Sequence, residues 1–247
     1  MTENAKELHI SLPHEIMIFD NAGSGNEVWV GGTCLNSSVS FCGARNRVFI
    51  TRGNCGRGTV SIQIEGDENE VRIGDLQAEG NVTIRCQGNR GRVEIVGLWV
   101  HEWMSILNGS DLAHVKSEGA VCCIGEGVTV ESITILNHHS HGEIVIGDGC
   151  MIGNRVMLMN SDTHPIYGME TGEIINRPVR PLKIGENVWL GMNATVLKGT
   201  SVPAGSIVGC NATVAHSFHE KNVVLAGCPA RVVKRRVFWK VEDACFV

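Results

Sequence analysis

An aliphatic residue recurs at every sixth position between residues 184 and 214, and this spacing is the strongest constraint on the fold. A period of six fits neither the 3.6-residue turn of an α-helix nor the two-residue alternation of a simple strand. It fits short strands that turn by about 120° at each corner, so that three six-residue rungs form one triangular coil. The sequence therefore predicts a β-helix with the recurring side chains inside. They are Ile184, Leu190, Val196, Val202, Val208 and Val214.

The same register occurs twice upstream, with four extra residues between the two runs. Small or turn-forming residues accompany the rungs, for example Gly185, Gly191, Asn187 and Asn193. Gly and Asn tolerate the left-handed backbone of a tight corner, so we expect them to form the corners. The upstream runs are Ile124, Val130, Leu136 and Ile146, Ile152, Leu158.

Between about residues 124 and 234 the chain resembles the hexapeptide-repeat acyltransferases, whose fold is a left-handed parallel β-helix. The motifs that carry the resemblance are I-G-D-G-C-M-I-G-N, S-D-T-H-P-I-Y, I-G-E-N-V-W-L-G and A-G-C-P-A-R-V-V, in the family's order. The resemblance is closest to O-acetyltransferases that act on sugars or surface polysaccharides. It is weaker before residue 120.

The first hundred residues carry a looser repeat, in which T-V-S-I-Q-I-E-G from Thr59 aligns with N-V-T-I-R-C-Q-G from Asn81. Short segments of alternating polarity predict strands with one buried face. We expect one continuous β-helix of about ten coils, roughly 50 Å long at ~4.8 Å per coil. Its irregular, extended coils occupy 1–120, its regular coils 121–228 and a C-terminal extension 229–247. A separate antiparallel β domain up to about residue 97 is the alternative.

Composition excludes two classes of partner. Acidic residues outnumber basic ones 26 to 21, giving a net charge of −5, so a phosphate-binding surface for nucleic acid is not expected. No segment reaches the ~18 to 20 apolar residues of a membrane span, and M-T-E-N-A-K-E lacks the apolar core of a signal peptide. We expect a cytoplasmic protein without membrane insertion.

The ten cysteines form no C-x-x-C pair, which favours reduced thiols that fill the core.

The register breaks between Leu158 and Ile184, where 26 residues replace a coil of 18. This predicts a loop extruded near 161–181, and loops on a rigid scaffold commonly carry function. His164 lies in its D-T-H-P motif, and imidazole is the side chain suited to act as a base near neutral pH. In the resembling acetyltransferases the His of this motif deprotonates the acceptor and transfer is direct, so the resemblance implies that role for His164.

Four further residues are candidates for the site. Asp162 orients the imidazole, holds the loop or only caps the turn, and the sequence leaves these three roles open. Trp189, in V-W-L-G, matches a Trp that some surface-polysaccharide O-acetyltransferases place beside the catalytic His. Tyr167 lies on the loop and is a candidate for acceptor contact. Asn137 is a candidate for the Asn with which sugar acetyltransferases hold the acceptor hydroxyl.

The resemblance also implies acetyl-coenzyme A as the donor, bound in a groove between neighbouring β-helices of a homotrimer with three sites. Galactoside and maltose acetyltransferases carry Thr-Lys where this chain has Ala215 and His216, so we expect either weaker coenzyme binding or substitution by His216 at reduced pH. The remaining coenzyme residues are Gly191, Gly209 and Cys210 for pantetheine, with Arg231 and Lys234 for the phosphates.

Three alternatives remain. The first is an N-acetyltransferase that makes an amino-sugar nucleotide, and the second is a non-enzymatic β-helix scaffold. The third is a metal hydratase, because His138, His139 and His141 form a cluster like the three histidines of a zinc site. The β-helical carbonic anhydrases place two of these histidines five residues apart on successive rungs, and this cluster lacks such a pair. We expect no metal, and expect the cluster to fill the corner insertion.

Overall fold

The computed structural model describes residues 8–10, 16–53, 56–110, 116–177 and 180–241, and within these ranges every regular element is a strand. The fold is a left-handed parallel β-helix, as the sequence predicts. The strands are β1 (Leu8–Ile10), β2 (Ile16–Ala22), β3 (Glu27–Val30), β4 (Ser37–Cys42), β5 (Arg47–Arg52), β6 (Val60–Glu65), β7 (Glu70–Ala78), β8 (Asn81–Gln87), β9 (Arg92–Gly109), β10 (Val121–Ile124), β11 (Val128–Asn137), β12 (Glu143–Ile146), β13 (Met151–Ile152), β14 (Val156–Met159), β15 (Leu182–Ile184), β16 (Trp189–Leu190), β17 (Thr195–Leu197), β18 (Ser201–Val202), β19 (Ile207–Val208), β20 (Thr213–Val214), β21 (Val223–Ala226) and β22 (Arg231–Arg235).

The strands stack into three faces, numbered here in the order in which the chain visits them. The first face stacks β1, β3, β5, β7, β9, β10, β12, β15 and β18 in parallel register. The second face runs from β7 and β9 through β11, β13, β16 and β19 to β21. The third face stacks β2, β4, β6, β8, β9, β11, β14, β17 and β20. We call the junction of the second and third faces the second corner, and the junction of the third face with the next first face the third corner.

One interior column explains why coils of different length share a fold. On the first face, successive members lie 20 residues apart at Val28 and Val48 but 38 apart at Ile144 and Leu182. All column members listed below are at most 2% exposed, and burying each such side chain stabilises the fold by roughly 1.5–3 kcal/mol. Extra residues are therefore accommodated at the corners while the interior keeps its register. The column is Val28, Val48, Val71, Val93, Cys122, Ile144 and Leu182.

Asn residues and Gly191 occupy corners for different reasons. Asn187, Asn193 and Asn211 have φ values of 51°, 57° and 59°, which confirms their predicted left-handed conformation. Gly191 has another role, because a Cβ there would lie 2.8 Å from the backbone nitrogen of Cys210 in the next coil. Its lack of a side chain permits two coils to approach, and the expectation that it supplies a left-handed corner was wrong.

The N-terminal strands continue the same sheet. Every described strand pair before residue 97 is parallel, which excludes the antiparallel alternative for these residues. The only antiparallel pair between named strands in the described ranges joins β21 to β22 at the C-terminal end. The boundaries at 120 and 228 stay predictions, and residues 242–247 of the predicted extension lie outside the described residues. Among the described residues, no helix is long and apolar enough to cross a membrane.

Four of the eight described cysteines pack inside the coils as expected, whereas three are exposed and one is half-buried. Cys34, Cys86, Cys122 and Cys150 are all at most 1% exposed. Burial raises the pKa of Cys86 to about 12 and that of Cys150 to about 11, so both remain thiols at neutral pH. Cys210, by contrast, is exposed at the surface.

Candidate functional site

The extruded loop leaves the third face after β14 and folds back on itself as a short hairpin. The backbone nitrogen of Gly168 donates to the oxygen of Glu173 at 2.9 Å, and that of Ile175 donates to Ile166 at 2.8 Å. Tyr167, which is 57% exposed, lies on this hairpin. The loop therefore presents Tyr167 to solvent, where it is accessible to an acceptor.

A cavity of about 420 Å³ lies at the root of the loop, at the third corner. His164 lines it and is exposed. Thr163 adopts a left-handed φ of 62°, and the backbone nitrogen of His164 donates to the oxygen of Asp162 at 2.7 Å, so a sharp turn precedes the imidazole. The lining combines segments that are far apart in the chain, including His139, Ser161, Asp162, His164, Asn176 and Arg177.

Asp162 joins the two ends of the loop to the β-helix. Its Oδ2 accepts hydrogen bonds from Lys198 Nζ, just after β17, and from Asn176 Nδ2 at 2.7 Å. Asn176 Nδ2 also donates to the backbone oxygen of His164 at 2.9 Å, while Lys198 Nζ donates to that of Asn176 at 2.6 Å. The bond from Lys198 is the main reason that the pKa of Asp162 is lowered. Of the three roles left open by the sequence, these contacts match the one that holds the loop.

His139 lines the same cavity, although the sequence indicated only that it fills a corner. Its ring is half-buried, and its pKa is lowered by burial and then by the positive charge of Lys198, against the opposing effect of Asp162. Both ring nitrogens of the preceding His138 are buried without a hydrogen-bond partner. In the part of the chain that the structure describes, no group of three His, Cys, Asp or Glu residues could hold a metal ion.

Asn137 is placed where it cannot reach an acceptor, so its predicted role is wrong in this structure. It is 0% exposed and belongs to a ladder of buried amides. Its Nδ2 donates to Asn108 Oδ1 at 2.8 Å, and its Oδ1 accepts from Asn160 Nδ2 at 3.0 Å. The sequence shows an Asn at the end of a strand, but not that its amide stacks on those of two neighbouring coils.

Trp189 lies on β16 of the second face and is 36% exposed. Its ring centroid is 6.2 Å from that of Trp239, whose Nε1 donates to the backbone oxygen of Asn187 at 2.7 Å. Trp189 is not among the lining residues of the cavity that contains His164. Within one chain Trp189 thus lies on a different part of the β-helix from His164 and Asp162.

The residues predicted to bind pantetheine and phosphate share the second corner. Gly191 follows β16, while Gly209 and Cys210 follow β19 one coil further along. Arg231 pairs with Ala226, beside Gly209, and Lys234 pairs with Val224 in the same hairpin. Both cationic residues are exposed.

The predicted pair Ala215 and His216 follows β20 and so lies at the third corner, the corner of His164. Both residues are exposed. The ring of His216 packs on Phe218 with 4.5 Å between centroids. The third face therefore separates the corner of His164 and His216 from that of the other coenzyme candidates.

A polysialic acid O-acetyltransferase from Neisseria meningitidis is 31% identical to this chain over 207 residues, which are 80% of this chain and 86% of that relative. The chain belongs to the hexapeptide-repeat acyltransferases. The putative lipopolysaccharide biosynthesis O-acetyl transferase WbbJ of Escherichia coli K12 is 30% identical over 146 residues, 58% of this chain and 65% of its own. No protein-family model matches the chain.

Two solved structures resemble that of this hexapeptide-repeat acyltransferase over nearly its whole length. The polySia-specific acetyltransferase NeuO superposes with a TM-score of 0.64 and 26% identity, covering 94% of this chain and 92% of its own. The polysialic acid O-acetyltransferase OatWY gives a TM-score of 0.56 and 27% identity, with 94% of each chain covered. The enzyme class expected from the sequence, an acyltransferase, is confirmed.

Proposed function

We propose that the protein is an O-acetyltransferase that transfers an acetyl group from acetyl-coenzyme A to a hydroxyl group of a surface polysaccharide. The observation that carries the proposal is His164, an exposed imidazole in a cavity at the root of the extruded loop. The activity of the polysialic acid and lipopolysaccharide O-acetyltransferases similar to this chain supports the choice of reaction and acceptor. Because this donor is a cytoplasmic metabolite, we expect the reaction in the cytoplasm.

In the proposed reaction His164 removes the proton from the acceptor hydroxyl while its oxygen forms a bond to the thioester carbonyl carbon. The carbon–sulfur bond then breaks, and the leaving sulfur takes the proton from the imidazolium. No acyl-enzyme is needed. In this mechanism Asp162 holds the loop, because its Oδ2 accepts hydrogen bonds from both Lys198 and Asn176.

The second corner has the chemistry that a coenzyme requires. Gly209 leaves part of its backbone accessible to a narrow pantetheine arm and Cys210 is exposed beside it, whereas Gly191 is buried against the next coil. The guanidinium of Arg231 and the ammonium of Lys234 supply positive charge for phosphates at the same corner. His216 lies at the third corner. It can therefore contribute to coenzyme binding at the second corner only if that corner belongs to a neighbouring subunit.

We infer a homotrimer from this separation. In one chain the candidate base lies at the third corner. Trp189 and most of the coenzyme candidates lie at the other edge of the third face, near the second corner. If the third corner of one subunit packs against the second corner of its neighbour, the two sets meet. Threefold closure of that contact yields three equivalent sites.

The test is release of free thiol from acetyl-coenzyme A in the presence of oligosialic acid, lipopolysaccharide oligosaccharides, neutral sugars and amino-sugar nucleotides. We expect release with a glycan hydroxyl acceptor, reduced about 10²–10⁴-fold by His164→Ala. His141→Asn serves as the control because His141 is exposed, does not line the cavity and has a left-handed φ that Asn tolerates. Faster release with an amino-sugar nucleotide would instead identify an N-acetyltransferase.

A further inference from the structure

The corner insertion between β11 and β12 holds His139 rigidly against the cavity. Asn137, two residues earlier, is locked in the buried amide ladder. The turn that follows is closed by a bond from the backbone nitrogen of Gly142 to the oxygen of His139 at 3.0 Å. The backbone of His141 has a left-handed φ of 56°, and its nitrogen donates to Glu118 at 2.6 Å. A segment anchored on both sides of His139 is built to present that side chain in one place.

The surroundings of His139 favour the neutral form of its imidazole. Burial and the ammonium of Lys198 lower its pKa, and the carboxylate of Asp162 opposes them less strongly. His164 and Arg177 are the other titratable side chains that line the cavity. A neutral imidazole has one N–H donor and one nitrogen acceptor, which suits a hydroxyl group that both donates and accepts.

His139 is poorly suited to be the base itself. A lowered pKa makes a weaker base, and the ring is half-buried where His164 is exposed. Two imidazoles of different exposure facing one cavity can instead divide the work on a sugar. One removes the proton from the reacting hydroxyl while the other binds a hydroxyl beside it.

We propose that His139 is an acceptor-binding residue that hydrogen-bonds the hydroxyl group next to the one acetylated, and thereby selects acceptors with two neighbouring hydroxyls. This inference rests on the proposed O-acetyltransferase function. The chemical class of the acceptor follows from it, namely a glycan with a vicinal diol in the reacting unit. A single-hydroxyl acceptor would leave the imidazole of His139 without its partner.

The test compares His139→Leu, His139→Gln and the control His141→Asn, with the best oligosaccharide acceptor and its derivative deoxygenated beside the acetylated position. We expect His139→Leu to lower kcat/KM for the intact acceptor about 5- to 10-fold, chiefly through KM, which is the effect of one lost hydrogen bond. His139→Gln, which keeps a donor and an acceptor, should restore part of the loss. With the deoxy acceptor, wild type and His139→Leu should react alike.

The outcomes separate this inference from the proposed function. If His139→Leu matches wild type with the intact acceptor while His164→Ala is inactive, the inference is overturned and the function stands. A loss confined to kcat, with an altered pH profile, would make His139 the base and overturn both role assignments. If wild type releases no thiol with any glycan, the proposed function fails and the inference fails with it.

Discussion

At the scale of single residues, asparagine performs two separate tasks in this fold. At solvent-facing corners, Asn187 and Asn193 adopt the left-handed conformation that a tight turn requires. At the third corner, Asn108, Asn137 and Asn160 instead stack their amides inside the prism, each within hydrogen-bond distance of the next. A buried amide is costly unless it is paired, so the ladder links neighbouring coils only while it is complete.

Replacing Asn137 by Ala tests this account. The change removes the partner of Asn108 Oδ1 and leaves Asn160 Nδ2 with only its longer bond, 3.4 Å, to the backbone oxygen of Glu143, so we expect a loss of about 3 kcal/mol in the free energy of unfolding. Urea denaturation followed by circular dichroism measures it. Asn154→Ala is the matched control, because that amide bonds only the exposed carboxylate of Glu102 and its loss should stay within about 0.5 kcal/mol. A raised acceptor KM with unchanged stability would instead restore the substrate role first expected of Asn137.

At the scale of elements, the loop is held at its root and free at its end. Lys198 and Asn176 bind Asp162 beside the cavity, whereas Tyr167 and Met169 further out are exposed. The position of the candidate base therefore depends on a contact between the start of the loop and a coil 36 residues later. A loop that is anchored at its root and exposed further out can hold the catalytic side chain in place while it leaves room for a large acceptor.

Lys198→Met should loosen the loop without unfolding the β-helix. The side chains of Lys198 and Asp162 are 22% and 40% exposed, so solvent screening limits the contribution of this ion pair to about 1 kcal/mol. We therefore expect the loop to open about 2- to 5-fold more often in the variant than in wild type. Cleavage by a glutamyl endopeptidase at the exposed Glu170 and Glu173 reports opening. Lys183→Met removes the same charge from the first face and should leave the cleavage rate unchanged; equal acceleration by both variants would contradict the role of the pair.

The pH dependence of the same contact has a definite sign. Because the folded pKa of Asp162 is lowered from 3.8, its contribution is present above that value and is lost only as pH falls through the lower folded pKa. Cleavage of the wild-type loop should therefore show no transition from this pair between pH 6 and pH 9. A transition in that range that disappears in Asp162→Asn would contradict the assignment.

The sequence predicted what depends on periodicity and missed what depends on where separate coils meet. Val196 and Ile184 could be predicted to be interior residues because an aliphatic residue recurs at the same position in neighbouring coils. Lys198 gave no signal, since its contact with Asp162 exists only once the loop has returned to the β-helix. His139 lies in an insertion without any period, so only the folded corner reveals that it faces the cavity. The sequence likewise does not show that Asn137 is buried, and this burial excludes the contact with the acceptor hydroxyl that the sequence suggests.

At the scale of the whole molecule, the prism distributes the candidate site over two corners, and this makes the trimer testable by mixing subunits. His164→Ala and the double variant Arg231→Ala with Lys234→Ala should each be weak alone. Co-expressed with different tags and purified as mixed trimers, they should regain about a third of wild-type activity, because one of the three interfaces in every mixed trimer then joins an intact third corner to an intact second corner. Mixing the double variant with Gly209→Trp is the control, since both damage the second corner and no interface is rebuilt. Absence of recovery from proven mixed trimers would mean that each subunit completes its own site, and recovery in the control would mean that the second corner is not one site.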